Sequence, residues 1–317
     1  MSAIIPPRIR RGQTLGVVAP AGPVKQIAQL HAGLARFGDA FRLKLAPSLT
    51  APREASLPSY LAASDETRAA ELNQMIADPD VRAILVGRGG YGLMRILPKL
   101  DPEALRRDPK PIVGFSDATA LLSWGHAVGV RGIHGPVGVQ MERLPASDIE
   151  QLITMLTEAR APGVRPWTLA ASPLGARGVV RGPLFAGNLT MISLLVGTPW
   201  ALPLRGSIAL IEEVGEKPYE LDRYLTQLAL TGELAKLHAV VVGDLVRCVD
   251  RNPPTGVADP EDAALATVLE RLHAAGTAAA FGAPIGHGDR NEPVPFGGTA
   301  VLDLDRCTFE IVDPSVA

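Results

Sequence analysis

The first half of the chain alternates between short apolar runs and longer segments with helical spacing. Apolar runs of strand length occur at residues 14–19, 83–86 and 112–115. Helical spacing of apolar residues is found at 24–37 and after Ser64, a residue suited to cap the second helix. Strands and helices in alternation predict parallel strands with helices on both faces of the sheet. We therefore expect a doubly wound, mainly parallel α/β domain that binds ligands outside the carboxyl ends of its strands.

Ser147 and Glu150 have the spacing of a capping box, which predicts a helix from there to about Ala159 at the end of the first half. The second half of the chain shows a mixed and less regular α/β pattern. Further segments have the apolar patterns of strands or helices, namely strands at 207–211, 239–242, 299–304 and 308–312, and helices at 189–196, 221–230 and 262–275.

Proline and glycine are concentrated at residues 161–182, as is typical of a connection between domains. The length of 317 residues also favours two domains, because single cores stop growing at about 250–300 residues. We expect a first domain at 1–160, a linker at 161–182 and a second domain at 183–317.

Composition and charge exclude several classes of protein. The net charge of −2 and the pI near 6.3 give no basic surface for nucleic acid or an anionic membrane. Cys248 and Cys307 form neither a disulfide framework nor a metal-binding spacing. The first residues lack the pattern of a signal peptide, and no apolar run approaches the roughly 18 residues that span a bilayer. The expected location is therefore the cytoplasm, with no nucleic-acid or membrane partner.

Residues 111–119 carry the strongest chemical signal. A short apolar run ends at Ser116, and a helical segment begins at about Ala118. A serine at such a turn exposes its hydroxyl beside backbone N–H groups, which suits a nucleophile and its oxyanion hole. This pattern favours an acyl-transfer hydrolase. The alternative is that Ser116 or Asp117 only caps the helix.

A glycine-rich loop, Gly-Arg-Gly-Gly-Tyr-Gly at residues 87–92, follows another strand. It lacks the full dinucleotide-binding pattern and the Walker phosphate-loop pattern, so a nucleotide-dependent enzyme is a poorly supported alternative. The functional interpretation is that its backbone N–H groups approach a ligand closely, for example a developing oxyanion. The structural interpretation is a plain glycine turn.

Candidate acids and bases lie in the second half as well as the first. Glu212 and Glu213 end an apolar strand, where one carboxylate could orient a histidine or both could simply be solvated. His134 follows an apparent strand end, and His287 lies between two glycines; either could act as a general base. The residues alone do not choose between these two histidines. No histidine pair has metalloprotease spacing, which disfavours a zinc hydrolase.

Taken in order, these motifs resemble the serine LD-carboxypeptidase family, which includes muramoyl-tetrapeptide carboxypeptidases and microcin-immunity peptidases. The resemblance extends from about residue 14 to residue 290, and its segments are 17–22, 87–92, 114–119, 187–190, 209–213 and 284–287.

The resemblance implies a catalytic triad of Ser116 as nucleophile, His287 as base and Glu212 as orienting acid. It implies an oxyanion hole formed by backbone N–H groups of Asp117 and Gly89. It also implies a smaller, mixed and β-rich C-terminal domain, a homodimer, and a reaction that needs neither a metal nor a cofactor.

The activity implied by the resemblance is hydrolysis of an L,D-peptide bond, which releases a terminal D-amino acid from peptidoglycan-derived peptides in murein recycling. One alternative is an amidase of the microcin-immunity type that acts on aminoacyl-nucleotide conjugates. In that case Trp167 could stack on the nucleotide, although it could equally pack in the core. Another alternative is a non-catalytic peptide-binding protein in which Ser116 is only a helix cap.

Overall fold

The computed structural model describes residues 3–251 and 262–317, which form two compact units. Unit 1 comprises residues 3–161, 291–297 and 313–317. Unit 2 comprises the described residues of 162–290 together with 298–312.

The strands, in chain order, are β1 (Thr14–Val18), β2 (Arg42–Leu45), β3 (Val81–Val86), β4 (Ile112–Gly114), β5 (Gly132–His134), β6 (Gly163–Arg165), β7 (Ala170–Ala171), β8 (Val179–Asn188), β9 (Ile208–Val214), β10 (Ala239–Val246), β11 (Ala278–Phe281), β12 (Val294–Phe296), β13 (Thr299–Asp303) and β14 (Thr308–Ile311). The α-helices are α1 (Ile27–Ala35), α2 (Asp65–Ala77), α3 (Leu93–Ile96), α4 (Pro102–Arg107), α5 (Thr119–Val128), α6 (Ala146–Thr157), α7 (Leu189–Leu195), α8 (Pro218–Leu230) and α9 (Ala263–Ala274). Among these, no helix of the described ranges is long and apolar enough to cross a bilayer.

Unit 1 contains a mostly parallel sheet with strand order β12-β5-β4-β3-β1-β2. Strands β1 to β5 are parallel to their neighbours, and β12 adds an antiparallel edge beside β5. The chain runs from β1 to β2 at one edge and then resumes at β3 on the other side of β1. This reversal is the topological switch point of a doubly wound sheet, where ligands commonly bind. The loops that follow β1 and β3 therefore meet at the edge where a site is expected.

Burial along the strands of unit 1 explains why the apolar runs predicted them. Every residue of β4 is buried, as are all but one in each of β1 and β3. Central parallel strands are covered on both faces, so they show nearly continuous apolar runs instead of alternation. The predicted cap of α2 is confirmed, because the Ser64 side chain accepts a hydrogen bond from the Thr67 amide at 3.1 Å.

Unit 2 contains a mixed sheet with strand order β6-β14-β13-β8-β9-β10-β11-β7. Strands β8 to β11 form a parallel centre, and the strands at both flanks are antiparallel. The carboxyl ends of β8, β9 and β10 lie side by side, since Asn188 is in register with Glu212 and Glu213 with Leu245.

The observed boundaries differ from the predicted linker and from the contiguous second domain. Residues 163–165 and 170–171 form β6 and β7, which pair with β14 and β11 inside unit 2. The chain also returns to unit 1 near its end, where β12 pairs with β5. Short strands between prolines and glycines carry little apolar signal, so composition alone resembled that of a linker.

The predicted capping box is wrong. Helix α6 begins at Ala146 with Pro145 as the residue before it, so Ser147 lies inside the first turn and makes no cap hydrogen bond. Asp148 is fully buried, and its carboxylate accepts a hydrogen bond from the Asn291 amide at 3.0 Å.

Candidate active site

Ser116 lies at the turn between β4 and α5. The strand ends at Gly114, and Ser116 opens a single 3-10 turn that leads into the helix. Its φ of 62° lies in the left-handed region, which residues other than glycine rarely adopt. The turn is also tight, because a Cβ on Gly114 would lie 2.7 Å from the Cβ of Ala118. A strained serine at a strand-to-helix turn is typical of an exposed nucleophile.

Gly89 of the glycine-rich loop approaches this serine closely. A Cβ on Gly89 would lie 3.1 Å from the Ser116 Cβ, 3.2 Å from its Oγ and 3.7 Å from the Asp117 backbone nitrogen. The loop is held from the other side by the Gly22 amide, which donates to the Gly89 carbonyl at 3.1 Å. The glycine-rich loop therefore comes so close to the serine that a side chain at Gly89 would crowd it.

Asp117 is buried and ties the serine turn to the end of the same loop. Its Oδ2 accepts a hydrogen bond from the Leu93 amide at 3.0 Å. Burial raises the pKa of Asp117 to about 6, against the opposing effects of the Leu93 bond and the charge of Arg68. Its own backbone N–H lies in the first turn of a helix, where amides have no acceptor within the helix. That amide is thus available as an oxyanion donor in the predicted role.

Glu212 and His287 are in direct contact in unit 2. Glu212 lies near the end of β9 and is fully buried, and its Oε2 is 2.6 Å from the Nδ1 of His287. The backbone at Gly286 makes this approach possible, since a Cβ there would lie 3.0 Å from the Cβ of Glu212. Gly286 also has a φ of 130°, a conformation that favours glycine. A carboxylate on Nδ1 fixes the ring so that Nε2 is the nitrogen directed to chemistry.

Glu213, the neighbouring carboxylate, has different partners. It accepts hydrogen bonds from the Asn188 side chain at 2.6 Å and from the amide and hydroxyl of Thr190 at 2.8 and 2.7 Å. These contacts hold the start of α7 against β9. Burial and the charge of Glu212 raise the pKa of Glu213. Of the two adjacent glutamates, only Glu212 contacts a histidine within the described ranges.

Asp244 is a neighbour of this pair that was not predicted from the sequence. Its Oδ2 accepts a hydrogen bond from the Gly288 amide at 2.9 Å, which anchors the loop directly after His287. Burial and the charge of Glu212 raise the pKa of Asp244 to about 6, while the Gly288 bond and His287 lower it. The sequence could have indicated Asp244 by its position, because it lies two residues after the apolar run 239–242, where a strand is predicted to end.

Two other candidate residues are buried in packing positions. His134 is fully buried at the end of β5, where its ring packs edge-on against Phe115 with centroids 6.0 Å apart. Trp167 is only 8% exposed and stacks on Phe309 with centroids 5.0 Å apart. A fully buried ring such as His134 is poorly placed to exchange protons with a substrate. Trp167 therefore packs in the core, which was one of its two expected roles.

The structure thus brings the candidate residues together in two groups. Ser116, Asp117 and Gly89 lie close together in unit 1, and Glu212 and His287 are in contact in unit 2. Each group is half of the constellation expected for a serine hydrolase.

Comparison with known proteins decides the family. The N-terminal domain of LD-carboxypeptidases matches residues 15–135, and their C-terminal domain matches residues 181–302. The chain belongs to the LD-carboxypeptidase family. It is accordingly a serine carboxypeptidase, as the resemblance predicted.

Relatives of similar length support the assignment. A Streptomyces coelicolor relative named as a carboxypeptidase is 34% identical over 317 residues, which is 98% of this chain and 97% of the relative. A murein tetrapeptide carboxypeptidase of Pseudomonas aeruginosa is 34% identical over 260 residues, which is 78% of this chain and 80% of the relative.

Solved structures show the same fold. The muramoyltetrapeptide carboxypeptidase of Oxalobacter formigenes matches with a TM-score of 0.78 and 26% identity, over 95% of this chain and 99% of that one. The microcin self-immunity protein MccF, solved with glutamyl sulfamoyl guanosine, matches with a TM-score of 0.84 over 99% of both chains. At 21% identity, the likeness to MccF shows the fold alone.

Proposed function

We propose that this LD-carboxypeptidase family member hydrolyses an L,D-peptide bond in peptidoglycan-derived peptides and releases the terminal D-amino acid. The proposed catalytic triad consists of Ser116 from unit 1 and the Glu212–His287 pair from unit 2. Support for the substrate class comes from relatives named as murein or muramoyl tetrapeptide carboxypeptidases.

One observation carries the chemical part of this proposal, the 2.6 Å contact between Glu212 Oε2 and His287 Nδ1. A serine hydroxyl is a weak nucleophile unless an adjacent base accepts its proton. A histidine whose Nδ1 faces a buried carboxylate is oriented for that task, and the carboxylate stabilises the imidazolium that forms.

The reaction follows the acyl-enzyme sequence of serine hydrolases. Ser116 Oγ attacks the carbonyl carbon of the scissile bond while His287 Nε2 takes the hydroxyl proton. His287 then gives that proton to the leaving amine as the carbon–nitrogen bond breaks, and the D-amino acid departs. Water, deprotonated by His287, hydrolyses the remaining ester and regenerates Ser116.

The oxyanion of each tetrahedral intermediate is proposed to bind at the backbone amides of Asp117 and Gly89. Asp117 follows Ser116 directly in the chain, and the close approach of Gly89, where an added Cβ would lie 3.2 Å from the Ser116 Oγ, supports its role. Fixed backbone donors stabilise charge as it develops and need no reorganisation during the reaction.

The test is release of D-alanine from a muropeptide tetrapeptide that ends in D-alanine. A peptide of the same composition that ends in L-alanine is the matched control for stereochemistry. We expect release from the first peptide only, measured with a coupled assay specific for D-alanine and by mass spectrometry. Equal cleavage of both peptides would exclude L,D-specificity, and cleavage of neither would exclude this substrate class.

The microcin-immunity alternative predicts hydrolysis of an amide in an aminoacyl-nucleotide conjugate. The nucleotide-stacking role considered for Trp167 is not favoured, because its indole is packed against Phe309 and is largely buried. The same assay with such a conjugate as substrate distinguishes this activity. If neither compound is cleaved but the tetrapeptide still binds, the non-catalytic interpretation is favoured.

A further inference from the structure

A buried guanidinium ties the loop after β1 to the glycine-rich loop, which approaches Ser116. The Arg68 side chain, near the start of α2, is fully buried. Its Nη1 donates to the carbonyls of Pro20, in the loop after β1, and Gly92, in the loop after β3, the latter at 3.0 Å. Nε donates to the Ala63 carbonyl at 3.2 Å, and Nη2 is paired with Asp65. These are the loops that meet at the switch point of the sheet.

The position of the Gly89 amide depends on the bonds that tie its loop to the loop after β1. Gly89 is three residues before Gly92 and is tied through its carbonyl to Gly22, two residues after Pro20. Arg68 therefore holds both loops close to the point where Gly89 approaches the serine. The ties to Arg68 and Gly22 link both loops to each other, and the Asp117–Leu93 bond links them to the serine turn.

The energetic cost of burying Arg68 argues for a specific use. A buried cation is costly unless its donors are paired. An ion pair between Arg68 and Asp65 does not require burial, because it could form at the surface. Asp65 already has a partner there, since its Oδ2 accepts a hydrogen bond from Arg95 Nε at 2.9 Å. The buried donors are instead directed at loop carbonyls, where fork geometry allows one side chain to hold several acceptors.

We propose that Arg68 is a positioning residue for the oxyanion hole, which acts by fixing the glycine-rich loop so that the Gly89 amide faces the reacting carbonyl at Ser116. The proposal rests on the proposed function for the identity of the oxyanion donors. It extends that function to a residue that never touches the substrate.

Lys110 offers a matched control in the same unit. It is also fully buried, pairs with Asp108 at 3.1 Å, and donates to the carbonyls of Ile76 and Asp78. It lies before β4, at the amino end of the strands, whereas Arg68 acts on the loops at their carboxyl ends. Loss of either cation removes comparable bonds, but of the two only Arg68 contacts the glycine-rich loop near the serine.

The experiment compares wild type, Arg68→Met and Lys110→Met. Kinetic constants come from release of D-alanine from the tetrapeptide, and folding is checked by urea denaturation. We expect Arg68→Met to lower kcat by about 10²-fold or more while KM changes by less than about threefold, the pattern of lost transition-state stabilisation. Lys110→Met is expected to lose stability with kcat near that of wild type. Equal kcat values for the two variants, or a change confined to KM, would overturn the proposal.

A second variant covers the case in which Arg68→Met does not fold. Arg68→Lys keeps the cation but loses the fork that spans both loops. We expect it to fold with a kcat between those of wild type and Arg68→Met. A folded Arg68→Lys protein with wild-type kcat would contradict the positioning role.

A second readout separates this proposal from the choice of substrate. A fluorophosphonate probe forms a bond from phosphorus to Ser116 Oγ and expels fluoride, and its phosphoryl oxygen uses the same oxyanion donors. If wild type reacts with the probe but cleaves no tetrapeptide, the substrate class fails while Arg68 is still tested by the labelling rate. In that case we expect slower labelling of Arg68→Met than of Lys110→Met. If wild type reacts with neither compound, the serine mechanism and the role of Arg68 fail together.

Discussion

Glu212 Oε2 lies 2.6 Å from His287 Nδ1, whereas the adjacent Glu213 contacts Asn188 and Thr190 instead. Successive residues of a strand point to opposite faces of the sheet, so neighbouring carboxylates enter different surroundings. The two glutamates therefore allow a direct comparison between a residue predicted to act in catalysis and one that supports the fold.

Glu212→Gln is expected to reduce kcat by about 10³-fold or more, because an amide no longer stabilises the imidazolium or enforces the required tautomer. Glu213→Gln is expected to keep kcat near wild type and to lower the free energy of unfolding by about 1–3 kcal/mol, since its amide group would face existing donors. Kinetics and urea denaturation of both variants make the comparison. A larger kcat loss in Glu213→Gln than in Glu212→Gln would reverse the assignment.

Gly89→Ala tests the close approach of the glycine-rich loop. The new methyl would lie 3.1 Å from the Ser116 Cβ and 3.2 Å from its Oγ, so either the loop or the serine must shift. We expect kcat to fall about 10- to 100-fold, because small displacements of catalytic groups are costly. The assay is steady-state cleavage of the tetrapeptide.

Gly125→Ala is the control for that substitution. Gly125 lies in α5, and the nearest atom to an added Cβ, apart from the neighbouring backbone of the helix, would be the Val130 carbonyl oxygen at 3.8 Å. Alanine is favoured over glycine in a helix by up to about 1 kcal/mol, so activity should persist and stability should not fall. Wild-type activity in Gly89→Ala would show that the predicted crowding has no catalytic consequence.

Many features of the fold follow from local sequence. The central strands of both units contain short continuous apolar runs, at 83–86, 208–211 and 239–242, because they are covered on both sides. The strand-to-serine-to-helix turn at Ser116 was also predictable, since the apolar run stops there and helical spacing begins at once. In these segments, the local spacing of apolar residues is enough to predict the element that forms.

Other features depend on pairings between distant residues. His134 and His287 both follow short apolar pieces, and only the fold shows that one is buried against Phe115 while the other meets Glu212. Strand β12 joins unit 1 from far along the chain, as its pairing with β5 shows. Arg68 resembles an ordinary helix-surface arginine in sequence, because its acceptors are carbonyls from three separate loops.

The backbone at Ser116 predicts a link between activity and stability. Its φ of 62° costs a non-glycine residue about 1–2 kcal/mol relative to glycine. Ser116→Gly should therefore be more stable than Ser116→Ala by about 1 kcal/mol, although both lack the nucleophile. Urea denaturation at neutral pH measures the difference. Equal stability of the two variants would mean that the turn stores no such strain.

Asp117 predicts a specific dependence of stability on pH. Its pKa is raised by burial from the ordinary value of 3.8 to about 6, so the folded protein retains a proton that the unfolded chain loses in that window. The contribution of this carboxyl to stability is complete below about pH 4 and is lost as pH rises through 6, by about 3 kcal/mol at most.

Asp117→Asn tests this dependence, since its side-chain oxygen can still accept from the Leu93 amide. We expect the difference in unfolding free energy between the variant and wild type to shift in favour of the variant as pH rises from 4 to 7. Chemical denaturation across that range supplies the curve. A difference that does not change with pH would show that Asp117 has an ordinary pKa.

The most direct test of the proposed Ser116–His287 mechanism is release of D-alanine from the muropeptide tetrapeptide by wild type, Ser116→Ala, His287→Ala and the double variant under identical conditions. Each substitution should reduce kcat by about 10⁴–10⁶-fold, and the double variant should be little worse than either, because triad residues act as a unit. Cleavage by wild type alone is the predicted result. Cleavage by Ser116→Ala at a rate close to wild type would show that Ser116 is not the nucleophile.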